Sequence, residues 1–274
     1  MIVIIILFII VILFFNNKNL NKNTKKTNDK IDKNLDLNFK VYWINLERSP
    51  KRKNKMIEEF KKYNITNHER VEAVDGNKIN EYKFKIPQNV RNSIQTYKNV
   101  IGCTLSHLEC IKRAYENKDD MCLIMEDDVC FNTIPKWKKS LKKIVKDAPK
   151  DWDILHLSMS NFNIVNKLLN MKEEFIKRNL DHWGTVSYLI NRKGIEKIYK
   201  IYELDKEPNL NVDNNSPNLV AAENIYDHVN TYIYTKMLFT FVNTQSTIHL
   251  DHDKDNFKGR KMILDYYNVK NCNL

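Results

Sequence analysis

Met121-Cys122-Leu123-Ile124-Met125 is an apolar run that ends directly in three carboxylates, Glu126-Asp127-Asp128. A run this short is not a helix; it reads as a strand buried on both faces, which requires a sheet covered by helices on either side. Ligands in open α/β sheets collect where such strands end, so the acids stand where a site is expected. Three adjacent carboxylates cannot all stay ionised without compensating charge, and a divalent cation held by oxygen ligands supplies it. A solvated acidic turn is the alternative reading of the same residues.

The rest of the chain alternates in the same way. Residues 41–46 read as an interior parallel strand, apolar on both faces. Ser49-Pro50 then opens a helix that carries Met56, Ile57, Phe60 and Tyr63 at helical spacing. Residues 70–74 form a second strand before the turn pair Asp75-Gly76, and the polar stretch 77–99 reads as a loop over the site or an acceptor-contacting insertion. Leu105, Leu108, Ile111 and Tyr115 give one apolar face to a helix from Cys103 that leads into the acidic strand. Beyond it the pattern predicts a helix over residues 135–145, strands over 153–157 and 186–190, a helix with Ile195, Ile198 and Tyr202, and a helix over 228–236. This alternation specifies an α/β fold around a largely parallel sheet flanked by helices. At 274 residues the chain accommodates one large domain, expected over residues 39–274.

Hydrophobic residues at 42% exclude a disordered chain. The net charge of +11 raises the question of nucleic acid, but lysine is scattered with asparagine through every segment and no aromatics interleave as a base-stacking platform, so no nucleic acid is expected. Cys103, Cys110, Cys122, Cys130 and Cys272 form no CxxC pair and leave an odd one over; they read as buried small hydrophobes rather than a zinc ribbon or disulfide framework. Residues 2–15 are an uninterrupted apolar run, about 21 Å long as a helix against a hydrocarbon core of about 30 Å. With no small-residue cleavage site behind it, the run reads as an uncleaved membrane anchor over residues 1–15, followed by an Asn/Lys-rich linker over 16–38. Lys18, Lys22, Lys25 and Lys26 would hold the body on the cytoplasmic side, whereas a secretory-pathway enzyme needs the opposite orientation, so the side stays open.

Four separated segments together resemble glycosyltransferase family 25, the group that includes lipooligosaccharide galactosyltransferases and collagen hydroxylysine galactosyltransferases. They are Val41-Tyr42-Trp43-Ile44-Asn45-Leu46-Glu47-Arg48-Ser49 with Arg52, Ala73-Val74-Asp75-Gly76, Ile101-Gly102-Cys103-Thr104-Leu105-Ser106-His107, and Leu123-Ile124-Met125-Glu126-Asp127-Asp128-Val129. Trp183-Gly184-Thr185-Val186-Ser187-Tyr188-Leu189-Ile190 is a fifth, weaker match. The resemblance implies a GT-A-type nucleotide-sugar-binding fold, a UDP-hexose donor, a Mn²⁺ or Mg²⁺ ion and transfer with inversion to a hydroxyl on a glycan, lipid or protein. It implies a metal motif at Glu126, Asp127 and Asp128, and a nucleotide-side set in Asn45, Arg48, Arg52 and Asp75. Gly102, Ser106 and His107 correspond to the segment beneath the donor sugar and diphosphate, with Gly184 and Thr185 from the weaker match. Asp227, read as the start of a late helix, is the expected base, and His249 or Asp251 would complete the metal shell, although the proline usual before that stretch is absent.

The chemistry fits these residue types. A leaving nucleoside diphosphate develops negative charge that a divalent cation neutralises, and arginine adds planar bidentate donors to phosphate. Inversion needs a base on the face opposite the leaving group. Each residue also has a structural reading: Arg48 and Arg52 on a solvated turn and helix, His107 as a core histidine, Asp75 as a turn residue, and Asp227 as a helix cap. Two further functions compete: a dinuclear hydrolase using residues 249–253 with the acidic motif, and a non-catalytic anchored relative.

Overall fold

The computed structural model describes residues 34–35, 38–79, 94–205, 220–242, 253–270 and 272. The elements in chain order are β1 (Lys40–Asn45), α1 (Pro50–Lys62), β2 (His68–Glu72), α2 (Ile94–Glu116), β3 (Met121–Glu126), β4 (Val129–Cys130), α3 (Leu141–Asp147), β5 (Ile154–His156) and α4 (Phe162–Asn170). They continue with β6 (Phe175–Lys177), β7 (Ser187–Asn191), α5 (Arg192–Ile201), α6 (Ala221–Tyr226), β8 (Thr231–Tyr234), β9 (Thr240–Phe241) and α7 (Asp253–Tyr267).

A seven-stranded sheet runs in the order β2-β1-β3-β7-β5-β8-β6, and β4 pairs with β9 in a separate ladder. β2, β1, β3, β5 and β8 share one direction, while β7 and β6 run against them. The α/β architecture with helices on both faces is as expected. The sheet's two core layers follow strand alternation: Val41, Trp43, Leu123 and Met125 face one side, Tyr42, Ile44, Cys122 and Ile124 the other. Met56 and Phe60 of α1, Leu168 of α4 and Ile263 of α7 cover the first face. Leu108 and Ile111 of α2, Ile195 and Ile198 of α5 and Ile225 of α6 cover the second.

Several expectations are corrected. Residues 228–236 are not a helix: Thr231-Tyr232-Ile233-Tyr234 is a strand held between β5 and β6, consistent with its β-branched and aromatic residues. The helix expected over 135–145 is a 3₁₀ turn, Ile134–Lys136, followed by α3, whose Ser140 hydroxyl accepts from the Lys143 N–H as an N-cap. The stretch 77–99 carries a 3₁₀ turn at Gly76–Lys78 and the start of α2. Asn34 and Leu35 of the polar linker are buried, Asn34 donating to the Ile134 carbonyl at 2.7 Å. Cys130 and Cys272 are joined in a disulfide rather than standing as separate hydrophobes. Residues 1–15, with their anchor reading, and His249 and Asp251 lie outside the described residues. Among the described residues no helix is long and apolar enough to cross a membrane.

Candidate active site

β1 and β3 are parallel neighbours, with Ile44 beside Glu126 in register, so the residues following each strand emerge at the same sheet edge. Asn45 ends β1, and its Nδ2 donates to Asp127 Oδ2 at 2.6 Å while its Oδ1 accepts from Arg70 Nε at 2.9 Å. Arg52, on the first turn of α1, bridges two acids: Nη1 meets Asp127 Oδ1 at 2.7 Å and Nη2 meets Asp128 Oδ2 at 3.2 Å. The short connection from β1 through Ser49-Pro50 puts this guanidinium over the β3 terminus.

The three acids have distinct environments. Burial raises the Asp127 carboxyl above its usual range, with Arg52 and Asn45 opposing. Asp128 is pushed up to about 7 by burial, opposed by Arg52 and reinforced by the charges of Glu126 and Asp127. Its Oδ1 is buried and meets no hydrogen-bond partner. For Glu126 burial is outweighed by His107 and by the Thr185 hydroxyl, which donates to Oε1 at 2.7 Å, so this carboxyl is held below the ordinary value. A buried carboxylate oxygen without a donor, beside two further acids, is a poor arrangement for protein alone and a good one for a hard, oxygen-seeking divalent cation.

α2 forms the floor. Gly102 lies so close to the 73–76 turn that a Cβ there would stand 2.5 Å from the Val74 carbonyl oxygen. One turn on, Ser106 Oγ accepts from the Val74 N–H at 2.9 Å and donates to the Gly102 carbonyl at 2.6 Å, pinning turn to helix. His107 is fully buried, its Nδ1 3.2 Å from the Tyr188 hydroxyl and its Nε2 3.6 Å from Glu126 Oε1. Asp75 takes the turn role: it accepts from the Asn77 N–H at 3.0 Å and pairs with Arg48 Nε at 2.9 Å. Gly184 has φ +106°, and a Cβ there would meet Ser160 Oγ, so glycine is required where the chain turns into Thr185.

Asn45, Arg48, Arg52, Ser106, His107, Glu126 and Asp127 line one cleft of about 550 Å³, part of it open to solvent. The cleft thus brings together Asn45, Arg48 and Arg52 with Ser106, His107, Glu126 and Asp127, while Asp75, Gly102, Asp128, Gly184, Thr185 and Asp227 are not on its lining; Asp128 joins it through Arg52 and Thr185 through Glu126. Asp227 stands elsewhere in its helix than expected: it is the C-cap of α6 and ion-pairs with the nearly buried Arg178. Its neighbour Tyr226 donates to the Gly184 carbonyl at 3.3 Å. Sequence reasoning passed over Arg70, Arg178 and Cys103 as site residues. Cys103 shares the cleft lining and stood in the Gly102-to-His107 segment, where its i, i+4 spacing to His107 was available as a signal.

Residues 38–215 match glycosyltransferase family 25, described as LPS biosynthesis protein. A glycosyltransferase 25 family member of Aedes aegypti is 27% identical over 180 residues, 61% of this chain and 28% of the relative. Procollagen galactosyltransferase 2 of Mus musculus is 26% identical over 171 residues, 58% of this chain and 27% of that protein. A procollagen lysyl hydroxylase and glycosyltransferase of Acanthamoeba polyphaga mimivirus is 26% identical over 174 residues, 58% of this chain and 19% of that protein. The chain therefore spans under a third of the length of these relatives. With more than half of its residues matched, it belongs to glycosyltransferase family 25.

Proposed function

We propose that this member of glycosyltransferase family 25 transfers a hexose, galactose or glucose, from a UDP-sugar to an acceptor hydroxyl with inversion, assisted by Mn²⁺ or Mg²⁺. The observation that carries the reading is the buried, partnerless Asp128 Oδ1, next to Glu126 and Asp127, the two acids that line a cleft also presenting Arg48 and Arg52. The names of the procollagen-directed relatives support a hydroxylysine acceptor, and a glycan hydroxyl is the next candidate.

Asp128 would hold the cation, with Glu126 and Asp127 close by as further oxygen donors. When bound, the ion neutralises charge on the departing diphosphate. Arg48, half-exposed at the cleft, is free to swing from Asp75 to a phosphate, where its planar fork suits the oxygens. Arg52 keeps Asp127 and Asp128 from repelling each other before substrate arrives. Gly102 and Ser106 fix the 73–76 turn that forms one wall. Asp227 is the proposed base: as the acceptor oxygen bonds to the anomeric carbon and the bond to UDP breaks, the hydroxyl proton passes to its carboxylate. Arg178 orients that carboxylate.

The test is a panel of nucleotide sugars offered to residues 39–274 with an acceptor series that includes hydroxylysine peptides, scoring nucleoside diphosphate release with Mn²⁺ and with chelator. Metal-dependent release from one UDP-hexose supports the reading; Asp128→Ala with unchanged turnover in Mn²⁺ sinks the metal assignment. Membrane attachment through residues 1–15 completes the proposal, with the Cys130–Cys272 bond favouring the oxidising side. Release of the full-length protein by a carbonate wash would rule that attachment out.

A further inference from the structure

Cys103, His107 and Glu126 place a thiol, an imidazole and a carboxylate with donor atoms all within 4.8 Å of one another. Cys103 and His107 are one helical turn apart on α2, so their side chains share a face, and Glu126 meets them from the end of β3. The His107 Nε2 to Glu126 Oε1 separation is 3.6 Å, too long for a hydrogen bond and close to the spacing of two ligands around a tetrahedral ion with bonds of about 2.1 Å. Nε2 is buried in a fully enclosed residue and has no hydrogen-bond partner. His107 Nδ1 lies 3.2 Å from the Tyr188 oxygen, and in the tautomer that carries its proton on Nδ1 the ring donates there and leaves the Nε2 lone pair to a cation between thiol and carboxylate. An outer hydrogen bond of this kind sets the tautomer and ring angle of a metal-binding histidine.

We propose that Cys103, His107 and Glu126 form a binding site for a thiophilic divalent cation of the Zn²⁺ class, separate from the oxygen-ligand position at Asp128. Sulfur and imidazole nitrogen select such an ion over Mg²⁺ or Mn²⁺, which prefer oxygen. Closing the set needs a shift of about an ångström, within reach of side-chain torsions in Cys103 and Glu126. Without metal the thiol stays protonated, because burial and the nearby Glu126 charge raise it, so binding releases its proton to solvent. The fourth ligand position is left to water from the cleft that these residues line. Its consequence for turnover rests on the donor-cleft reading above: an ion here draws Glu126 away from Asp128 and obstructs the donor, making the site inhibitory.

Cobalt(II) tests the site without any nucleotide. The purified full chain, held in a non-chelating reductant, is titrated with Co²⁺, and the thiolate-to-cobalt charge-transfer band in the near ultraviolet is followed. We expect a saturable band that Zn²⁺ abolishes, that Cys103→Ser removes and that Cys110→Ser retains. Tyr188→Phe, which keeps the ring and drops only the outer hydrogen bond, should weaken Co²⁺ binding by about tenfold. No band in the wild type, or a band that persists in folded Cys103→Ser, overturns the proposal; thermal melts report whether each variant is folded. If the band behaves as expected while no donor is turned over, the metal site stands and the transferase reading falls.

Discussion

Acidification should destabilise the protein through His156. This imidazole sits on β5, fully enclosed, with the Tyr226 ring 4.9 Å away. Burial, reinforced by the positive charges of Arg178 and His182 and opposed by the Gly184 backbone, pushes its pKa from 6.5 down to about 3. The folded state therefore keeps the ring neutral while the unfolded chain protonates it below about pH 6.5, so the unfolded state binds the extra proton. Its stabilising contribution is complete above about pH 6.5 and is lost progressively as pH falls toward about 3. By linkage the loss between about pH 7 and about pH 5 is about 2 kcal/mol. Urea unfolding of wild type and His156→Gln at both pH values isolates the effect, because the chain's other six histidines are common to both proteins. The variant will be less stable at neutral pH, but its loss on acidification should be about 2 kcal/mol smaller than that of wild type. Equal losses would show that His156 is not held neutral and would refute the argument.

Three further outcomes are expected. Arg52→Gln leaves Asp127 and Asp128 buried without their shared counter-charge and should cost about 3 kcal/mol in denaturant unfolding; an unchanged midpoint would contradict the bridging role. Gly102→Ala drives a methyl group into the Val74 carbonyl and should cost about 2 kcal/mol, read as a lower Tm with no change in secondary-structure content by circular dichroism. Reduction of Cys130–Cys272, which closes a chain separation of 142 residues, should lower stability by about 3 kcal/mol; identical melts with and without reductant would remove its structural role.

Much of the strand and helix pattern was legible because it is written in local periodicity. The doubly apolar runs of β1 and β3 permit only a sheet covered on both sides, and the 3.6-residue spacing of Leu108 and Ile111 permits only a helix facing it. The acids at the end of β3 followed from that strand, and the family resemblance rested on the same residues. Periodicity failed where elements were short or where context decided. Thr231-Tyr232-Ile233-Tyr234 is a strand because β5 and β6 supply partners on both sides, and the reversed β7 between β3 and β5 has no mark in its own residues. Asp227 was singled out, yet its place at the end of α6 rather than the start of a helix depended on where β8 begins.

The sequence by itself determined which residue types were available at each strand end and that the sheet would be buried on both faces. Tertiary structure alone decided who meets whom: Asn45 and Arg52 with Asp127, Arg178 with Asp227, Cys103 and His107 with Glu126, Cys130 with Cys272. Backbone propensity acts over a few residues, whereas these contacts join positions as many as 142 apart, brought together only when the layers close and bury them.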